Sequence, residues 1–301
     1  MPTLEKIQGA IIGGAENRVK NLEVQPKLVT GTASAISAVT ADVGTLRFAT
    51  DTGNLMVSQG SGNWVSPSSW ANGTSISLDG TNDHMLLSST VSLGTNWTVA
   101  FWLKTTDTGL AFVSIDPGAT NDGIQAFNNS FYVMPNSWTN GYWLVGNYTA
   151  RNMADDIFDG NWHHLAFCAA GTSLKIYLDG AIGSFGGITD RTASNGTPDA
   201  MTFSQVGKKA TKYLGGNMDE LAAWSSTLDA ANVAAVYNSG SPIDLASDSG
   251  DYDNSGNLEG YWRFEGGSNG STTPTEVTDE SGNSKTGTLT NSPTYATDIP
   301  A

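Results

Sequence analysis

The sequence predicts an all-β protein built as a two-sheet antiparallel sandwich. The clearest observation is the stretch Asn161 to Gly180, where two runs of alternating apolar and polar residues flank Gly171 and Thr172. Alternation with period two indicates strands, and a Gly-Thr pair between two such runs indicates a hairpin turn with one face directed inward. Because a hairpin is marginally stable by itself, the rest of the chain should supply the sheets into which it packs.

Further predicted strands are short and frequent. Trp97 to Lys104 alternates over its whole length. The other predicted strands, each close to Gly, Asn or Asp, are 76–79, 84–87, 111–115, 131–134, 142–145, 201–206, 220–224, 258–264 and 287–290. One short helix is predicted between a capping Asp229 and a terminating Gly240. Strands of this length and frequency are typical of a β-sandwich.

The composition limits the possible partners. The chain has 301 residues, 14 % of them charged, and a formal net charge of −15. A chain of this length can bury a hydrophobic core without the help of disulfide bonds or structural metal ions. Because it has a single cysteine, Cys168, an intramolecular disulfide is excluded. The negative charge argues against nucleic acid and against anionic lipid. No apolar run fits a signal peptide or a membrane span. From the charge and from this lack of apolar runs we expect neither a nucleic-acid nor a membrane partner.

Residues 1–40 are predicted to form an anchoring arm. Leu4, Ile7 and Ile11 have helical spacing, but the glycines among and after them weaken a helix. The segment also lacks the apolar surface needed to order itself. We therefore expect Leu4, Ile7 and Ile11 to contact a partner chain.

A β-hairpin neck is predicted over residues 41–68. Leu46 and Phe48 alternate in its first strand, and Leu55 and Val57 in its second. The phrase GTLRFATDTGNLMVS resembles short hairpin modules of bacteriophage tail-fibre and other virion proteins, where such a phrase precedes a larger β domain. A simple hairpin linker is the alternative interpretation.

Four later stretches resemble, in order, the motifs of the laminin G-like domain. They are LDGTNDHM (78–85), WTVAFWLK (97–104), NWHHLAFCAAGTSLKIYLDG (161–180) and GGNMDELAAWSSTLDAANVAAVYNSG (215–240). The resemblance implies a concanavalin A-like jelly roll over residues 69–301. LEGYWRFEGG, which resembles the opening motif of such domains, begins instead at Leu258. Either the domain is circularly permuted, with residues 257–301 completing the sandwich, or a partial second repeat begins there; an isolated two-strand fragment would be unstable, which favours permutation.

Glucanases share this fold, so the sequence must be tested for catalytic carboxylates. Glycoside hydrolysis needs two carboxylates that face the scissile bond, and no Glu-X-Asp-X-X-Glu strand supplies them. Asp219 and Glu220 are adjacent, and adjacent strand residues point to opposite faces. His163 and His164 diverge for the same reason and lack the spacing of a zinc motif. We therefore expect no enzymatic activity.

The resemblance also implies Ca²⁺ at one rim of the sandwich. The candidate ligands are Asp79 and Asp83 in the DGTND turn, together with Asp219. Hard cations take carboxylate and carbonyl oxygens of loops. The alternative is turn chemistry, because Asp accepts backbone hydrogen bonds in tight loops without any metal.

Clustered aromatic and amide side chains suggest a carbohydrate site, since sugar rings stack on aromatic faces. The candidates are Trp138, Asn140, Tyr142, Trp143 and Tyr148. Packing in the core is the alternative for aromatic residues of a sandwich. The core is the expected place for Trp97, Trp102, Trp162 and Trp224.

These observations together predict a non-enzymatic structural protein of a bacteriophage virion, either a head decoration or a fibre-like appendage. The arm would bind other capsid or tail proteins, and the laminin G-like domain would face outward. A homotrimer is expected by analogy with virion appendages. The protein would assemble in the host cytoplasm and become extracellular in the mature particle. The alternative function is a carbohydrate-binding adhesin that contacts glycans of the host cell surface.

Overall fold

The computed structural model describes two compact units, Met1–Ala71 and Asn72–Ala301. The residues it describes are 30–31, 46–49, 54–60, 63–65, 72–109, 111–114, 123–127, 130–135, 141–146, 156–182, 191–194 and 196–300. None of the helices in these ranges is long and apolar enough to cross a membrane. Leu4, Ile7 and Ile11, the predicted anchoring residues, lie outside the described ranges.

The smaller unit contains a four-stranded sheet. Its strands, in spatial order, are β1 (Thr30–Gly31), β2 (Leu46–Ala49), β3 (Asn54–Gly60) and β4 (Asn63–Val65). Leu46 pairs with Val57 and Phe48 with Leu55 in an antiparallel register. The predicted hairpin therefore forms with the expected strands.

The larger unit is almost entirely β. Its strands are β5 (Ser75–Asp79), β6 (His84–Ser92), β7 (Asn96–Lys104), β8 (Ala111–Ser114), β9 (Gly123–Phe127), β10 (Ser130–Met134), β11 (Trp143–Gly146), β12 (Trp162–Ala170), β13 (Ser173–Leu178), β14 (Ala181–Ile182), β15 (Arg191–Thr192), β16 (Thr202–Val206), β17 (Lys208–Lys209), β18 (Lys212–Tyr213), β19 (Gly215–Trp224), β20 (Leu258–Trp262), β21 (Glu276–Val277), β22 (Gly287–Thr290) and β23 (Thr294–Ala296). The helix α1 spans Ala230–Tyr237, and 3₁₀ turns cover Asn238–Gly240 and Ser255–Asn257.

Two antiparallel sheets face each other in this unit. Sheet I has the order β14-β13-β12-β7-β19-β5-β23, with β15 added on β13 and β20 on β19. Sheet II has the order β11-β10-β9-β8-β16-β6-β22-β21. Aromatic rings pack in the core between the sheets. Phe101 of sheet I lies 4.9 Å from Phe112 of sheet II, measured between ring centroids. The prediction of an all-β, two-sheet antiparallel sandwich with jelly-roll character is confirmed.

The C-terminal strands belong to both sheets. β20 pairs with β19 and β23 with β5 in sheet I, while β22 pairs with β6 in sheet II. Strands from the end of the chain thus complete sheets that begin near Ser75. A permuted order of the laminin G-like motifs requires this pairing.

The predicted hairpin Asn161 to Gly180 forms β12 and β13, and both of its faces are buried. Leu165 and Phe167 face the core between the sheets. Ala166 and Cys168 face a second core on the outer side of sheet I, where α1 packs. The expectation of one inward face is therefore incomplete, because α1 and the chain that follows it cover the other face. Burial raises the pKa of the Cys168 thiol to about 12.

The short helix begins at its predicted cap, Asp229, but ends at Tyr237, before the predicted stop at Gly240. The Asp229 carboxylate accepts a hydrogen bond from the Asn232 backbone N–H at 2.9 Å, which satisfies a donor of the first turn. Asn238 ends the helix in the left-handed conformation, with φ of 44°. Val233 and Val236 are buried in the second core.

A β-bulge in β19 changes the direction of its acidic residues. Glu220 has φ of 48°, and the pairing of β19 with β7 shifts between Asp219 and Ala222. Met218 and Leu221 both face the core between the sheets, so Asp219 and Glu220 both fall on the outer side of sheet I. The prediction that these two carboxylates point to opposite faces is wrong, because a bulge adds one residue to the alternation.

Candidate functional site

Loops at one end of sheet I enclose an open groove of about 620 Å³. β5 and β7 end at this rim, and β12 and β19 begin there, because neighbouring antiparallel strands run in opposite directions. The lining residues are Leu78, Asp79, Gly80, Lys104, Thr105, Thr106, Asp107, Gly160, Gly215, Gly216 and Asn217. A volume of this size lies within the range of small-molecule sites, roughly 300–1,000 Å³. We call this feature the rim groove.

Thr105 holds the rim loops together. Its hydroxyl donates to the Gly215 carbonyl and accepts from the Asp107 backbone N–H, the latter at 2.9 Å. Its own carbonyl accepts from the Gly160 N–H at 3.0 Å. Three loops are thus tied to one residue, which is only 4 % exposed.

Replacing Thr105 with valine tests whether its hydroxyl holds the rim loops together. The change keeps the shape of the side chain but leaves the Gly215 carbonyl and the Asp107 N–H without this partner. We expect the free energy of unfolding to fall by about 1–2 kcal/mol in urea denaturation. Thr106→Val, at an exposed neighbouring position, is the control and should change stability by less than about 0.5 kcal/mol. Equal effects of the two substitutions would show that Thr105 does not organise the loops.

Glycine is needed where the loops approach closely. Gly216 has φ of 135°, and a Cβ there would lie 2.5 Å from the Lys104 carbonyl oxygen. Gly80 has φ of 71°, and a Cβ there would lie 3.2 Å from the Gly215 Cα. The floor of the rim groove is therefore backbone, which a ligand can approach closely.

Asp107 presents a carboxylate to the rim groove. Its Oδ1 accepts from the Gly109 N–H at 3.0 Å. Its Oδ2 lies 3.2 Å from the position of a Cβ on Gly215, above the glycine floor. No hydrogen bond to this second oxygen comes from the described residues, and the side chain is exposed. One carboxylate oxygen is thus oriented and open to a ligand.

Lys104, Asp298 and Trp162 form a linked row at the edge of the rim groove. The Lys104 ammonium lies 2.6 Å from Asp298 Oδ2, and the Trp162 indole N–H donates to Asp298 Oδ1 at 2.9 Å. The hydrogen bond from Lys104 lowers the pKa of Asp298. Trp162 is half-buried, so its predicted place in the core is wrong. It is the first residue of β12, at the rim, where neighbours cover only part of its ring.

The other three tryptophans expected in the core are there. Trp97 and Trp224 are fully buried, and Trp102 is 2 % exposed. Trp102 packs against the His164 ring at 5.2 Å between centroids. His164 is also buried, which lowers its pKa to about 4.

His163 bridges two carboxylates next to the rim groove. Its Nδ1 lies 2.8 Å from Asp179 Oδ2, and its Nε2 lies 3.3 Å from Asp159 Oδ1. The hydrogen bond to Asp179 is the main cause of its raised pKa. Asp159 precedes Gly160 of the groove lining, so this bridge supports one wall. His163 and His164 diverge as predicted. The His164 ring lies beside Trp102 on the outer side of sheet I.

The bridge predicts a pH-dependent stability. The folded-state pKa of His163 is raised above 6.5, so its stabilisation is complete below pH 6.5 and is lost as pH rises through the folded value. We expect the melting temperature of the wild type to exceed that of His163→Gln at acidic pH. The difference should shrink under alkaline conditions in calorimetric scans. A difference that grows with pH would contradict the assignment.

The three predicted Ca²⁺ ligands do not form one set. Asp79 pairs with Gly215 across the strands, and Asp219 lies four residues further along β19, roughly 13 Å away. Across the described ranges, no three His, Cys, Asp or Glu side chains are placed to share a metal ion. Asp219 is therefore not a partner of Asp79 and Asp83, because it is buried in the sheet and bonded to Asn72.

Asp79 and Asp83 remain together in the DGTND turn. Asp79 Oδ1 accepts backbone N–H groups of Thr81, Asn82 and Asp83, and the bond from Asn82 is the main cause of its lowered pKa. Asp83 is buried, its Oδ2 accepts from the Asp79 N–H, and burial raises its pKa. Turn chemistry accounts for Asp79, and Ca²⁺ binding at this turn stays a prediction.

The predicted aromatic site is not assembled as expected. Trp143 is 1 % exposed, its indole N–H donates to the Thr172 carbonyl at 2.9 Å, and its ring packs edge-on against Trp97. A buried ring offers no face to a sugar, so its predicted role is wrong. Tyr142 is half-buried and pairs with Ser194. Trp138, Asn140 and Tyr148 lie outside the described residues.

A buried acidic cluster lies on the outer side of sheet I. Glu220 accepts hydrogen bonds from the Tyr261 hydroxyl and from Arg263 Nε, the latter at 3.2 Å. Burial raises the pKa of Glu220 to about 7. Asp219 Oδ2 accepts from Asn72 Nδ2 at 3.0 Å, and burial raises its pKa well above the ordinary value. Neither residue lines the rim groove.

Several residues of the rim groove and its edge have no local sequence signal that marks them as site residues. Thr105, Asp107 and Trp162 are ordinary residues at strand ends, and their meeting depends on the pairing of β7 with β12 and β19. The Gly215-Gly216 pair is the available signal, since adjacent glycines at the start of a strand indicate a close approach of backbone.

Comparison with known proteins identifies the fold family. A laminin G family model, described as the concanavalin A-like lectin/glucanases superfamily, matches residues 79–234, more than half of the chain. The search of curated proteins finds no match at the significance required.

Several solved structures are similar to this chain at low identity. A protein of Bacteroides ovatus, provisionally described as carbohydrate-binding, is 13 % identical, with 86 % of this chain and 71 % of that chain covered and a TM-score of 0.49. A heptameric SAP-like pentraxin of Limulus polyphemus is 14 % identical, with 55 % and 82 % covered and a TM-score of 0.40. Domains LG4-5 of the mouse laminin α1 chain are 16 % identical, with 59 % and 52 % covered and a TM-score of 0.37.

Proposed function

Because the chain belongs to the laminin G family of the concanavalin A-like lectin/glucanases superfamily, we propose that its larger unit binds carbohydrate in the rim groove and catalyses no reaction. The observation that carries this proposal is the groove itself. It combines a backbone floor with oriented polar side chains at one end of the sandwich. At its edge the half-buried Trp162 is hydrogen-bonded to Asp298, the partner of Lys104 in the lining.

The groups around the rim groove match the chemistry of a sugar. Asp107 offers a carboxylate oxygen, and Thr106 and Asn217 add a hydroxyl and an amide for hydrogen bonds to sugar hydroxyls. Trp162 is the candidate for stacking on the apolar face of the ring, and its bond to Asp298 fixes the indole. The rigid strands beneath hold these groups in place, which reduces the entropy lost on binding.

The carboxylates of the rim groove do not suit hydrolysis. A glycosidase needs a protonated carboxylic acid and a second carboxylate across the bond. The pKa of Asp79 is lowered by its backbone hydrogen bonds, so it cannot act as the acid near neutral pH. Glu220, whose pKa is about 7, is buried under the second core and does not line the groove. These features support a binding role.

A glycan array followed by calorimetry tests the proposal. We expect the wild-type protein to bind at least one glycan and Trp162→Ala to weaken that binding by about tenfold or more, equivalent to roughly 1.4 kcal/mol. Phe127→Ala is the matched control, because Phe127 is an aromatic residue, 38 % exposed, on sheet II. Binding that survives Trp162→Ala but not Phe127→Ala would place the site elsewhere, and binding to no glycan would contradict the proposal.

The second proposal concerns the particle to which this domain is attached. We propose that residues 1–71 attach it to a bacteriophage particle as a head decoration or fibre-like appendage, as a homotrimer. Two observations support the attachment: the chain divides into two units after Ala71, and the smaller unit contains the hairpin whose sequence resembles hairpin modules of virion proteins. The homotrimer follows from analogy with virion appendages. Mass spectrometry of purified particles and antibody labelling would detect the protein on the virion. Its absence from particles of a phage that encodes it would contradict this setting.

A further inference from the structure

The rim groove carries negative charge that its lining does not neutralise. Among the residues that the structure describes, its acidic lining residues are Asp79 and Asp107, and its basic lining residue is Lys104. Lys104 already lies 2.6 Å from Asp298 Oδ2. Trp162 holds the other oxygen of Asp298, so this pair is fixed at the edge of the groove. Lys104 is therefore already paired with Asp298 and does not neutralise the negative charge of Asp79 or Asp107.

Asp107 is positioned to receive a cationic donor. Its backbone N–H is held by the Thr105 hydroxyl, and its Oδ1 by the Gly109 N–H. These bonds direct Oδ2 over Gly80 and Gly215, where a Cβ would lie 3.8 Å and 3.2 Å from it, respectively. Because both residues are glycines, no side chain fills the space beside this oxygen. A ligand donor can reach it at hydrogen-bonding distance.

The charge of the whole chain acts in the same direction. A formal net charge of −15 attracts cationic ligands and repels acidic ones before they reach the site. A carboxylate or sulfate on a sugar would meet Asp79 and Asp107, while the lysine in the described part of the lining, Lys104, is already paired with Asp298. An ammonium group on a sugar would donate a charge-assisted hydrogen bond to the Asp107 carboxylate.

We propose that the rim groove selects an amine-bearing sugar, with the ammonium group on Asp107 Oδ2 and the apolar ring face on Trp162. This inference rests on the proposed carbohydrate-binding function and names its ligand class. It assigns Asp107 as the specificity-determining residue of the site.

Calorimetry with chitotriose in two forms tests the assignment. The probes are the N-acetylated trisaccharide and the fully de-N-acetylated trisaccharide, titrated with a chelator present and at a pH where the free amines are protonated. We expect the de-N-acetylated form to bind about tenfold tighter or more, the value of one charge-assisted hydrogen bond. This preference should weaken with added salt, since ions screen exposed charges.

Asp107→Asn isolates the charge. The substitution keeps the size of the side chain and its acceptor for Gly109, so we expect the preference to disappear while the melting temperature is unchanged. Asp251→Asn removes one exposed carboxylate from a distant loop and should leave the preference intact. Retention of the preference in Asp107→Asn would overturn the assignment. Equal binding of the two trisaccharides would also overturn the assignment, but carbohydrate binding would stand. If neither trisaccharide binds, the assignment is overturned, and the glycan array decides whether the protein binds carbohydrate.

Discussion

Replacing Trp143 with alanine lowers the free energy of unfolding by about 3–5 kcal/mol, the usual cost of removing a buried tryptophan. The side chain is 1 % exposed, packs edge-on against Trp97 with 6.3 Å between centroids, and donates its indole N–H to the Thr172 carbonyl. The substitution leaves a cavity between these groups and removes one of the two hydrogen bonds that the Thr172 carbonyl accepts, the other coming from the Ala193 N–H. Urea denaturation measures the loss.

Tyr142→Ala is the control for this prediction. Tyr142 precedes Trp143 but is only half-buried, so its loss should be clearly smaller. Both variants, where folded, should still bind carbohydrate, because neither residue lines the rim groove. A loss under about 1 kcal/mol for Trp143→Ala, together with lost glycan binding, would restore Trp143 as a sugar-stacking residue.

Replacing Asp219 with asparagine raises the free energy of unfolding at neutral pH by about 1–3 kcal/mol, because on folding the wild type must either bury a charge there or take up a proton. Asp219 is 0 % exposed. Its Oδ1 accepts from the Glu220 N–H, which an amide oxygen can continue to do. Its Oδ2 faces Asn72, whose own Oδ1 is buried without a hydrogen bond. After a flip of the Asn72 amide, the introduced NH₂ group can donate to that oxygen.

The gain from Asp219→Asn should depend on pH. The folded-state pKa of Asp219 is raised well above 3.8, so the wild type loses stability as pH rises from 3.8 toward the folded value, because the unfolded chain releases the proton over this range and the folded chain retains it. Stability curves of the two proteins should therefore converge in acid and separate toward neutral pH. Asp251→Asn, at an exposed position, should show no such separation. A destabilised Asp219→Asn at neutral pH would mean that the carboxylate is needed in its charged form.

The sequence predicts most of the fold because its strongest signals are local. Alternation in Trp97 to Lys104 and in Asn161 to Gly180 yields β7, β12 and β13 directly, and the Asp229 cap yields α1. Alternation cannot reveal a bulge, so the strict pattern failed at Glu220, where the left-handed residue depends on pairing with β7. It also cannot reveal that α1 would bury the outer face of sheet I.

The site was less predictable because it forms where distant segments meet. Asp79 was identified from its turn and does line the rim groove. Thr105, Asp107 and Trp162 join it only through the strand order of sheet I, which local patterns do not give. Trp143 and Trp162 show the same limit: each is the first residue of a strand, and only packing against distant segments leaves one buried and the other half-buried.

The most direct test of the central claim is an amide NMR titration of the larger unit within the full chain, using the tightest glycan of the array. Binding in the rim groove predicts that the amide shifts concentrate at Thr105, Asp107, Gly160 and Asn217, with the Trp162 indole N–H shifting alongside them. Shifts that concentrate instead on sheet II, around Phe127 and Tyr132, with the rim amides unchanged, would contradict the claim that the rim groove is the carbohydrate site.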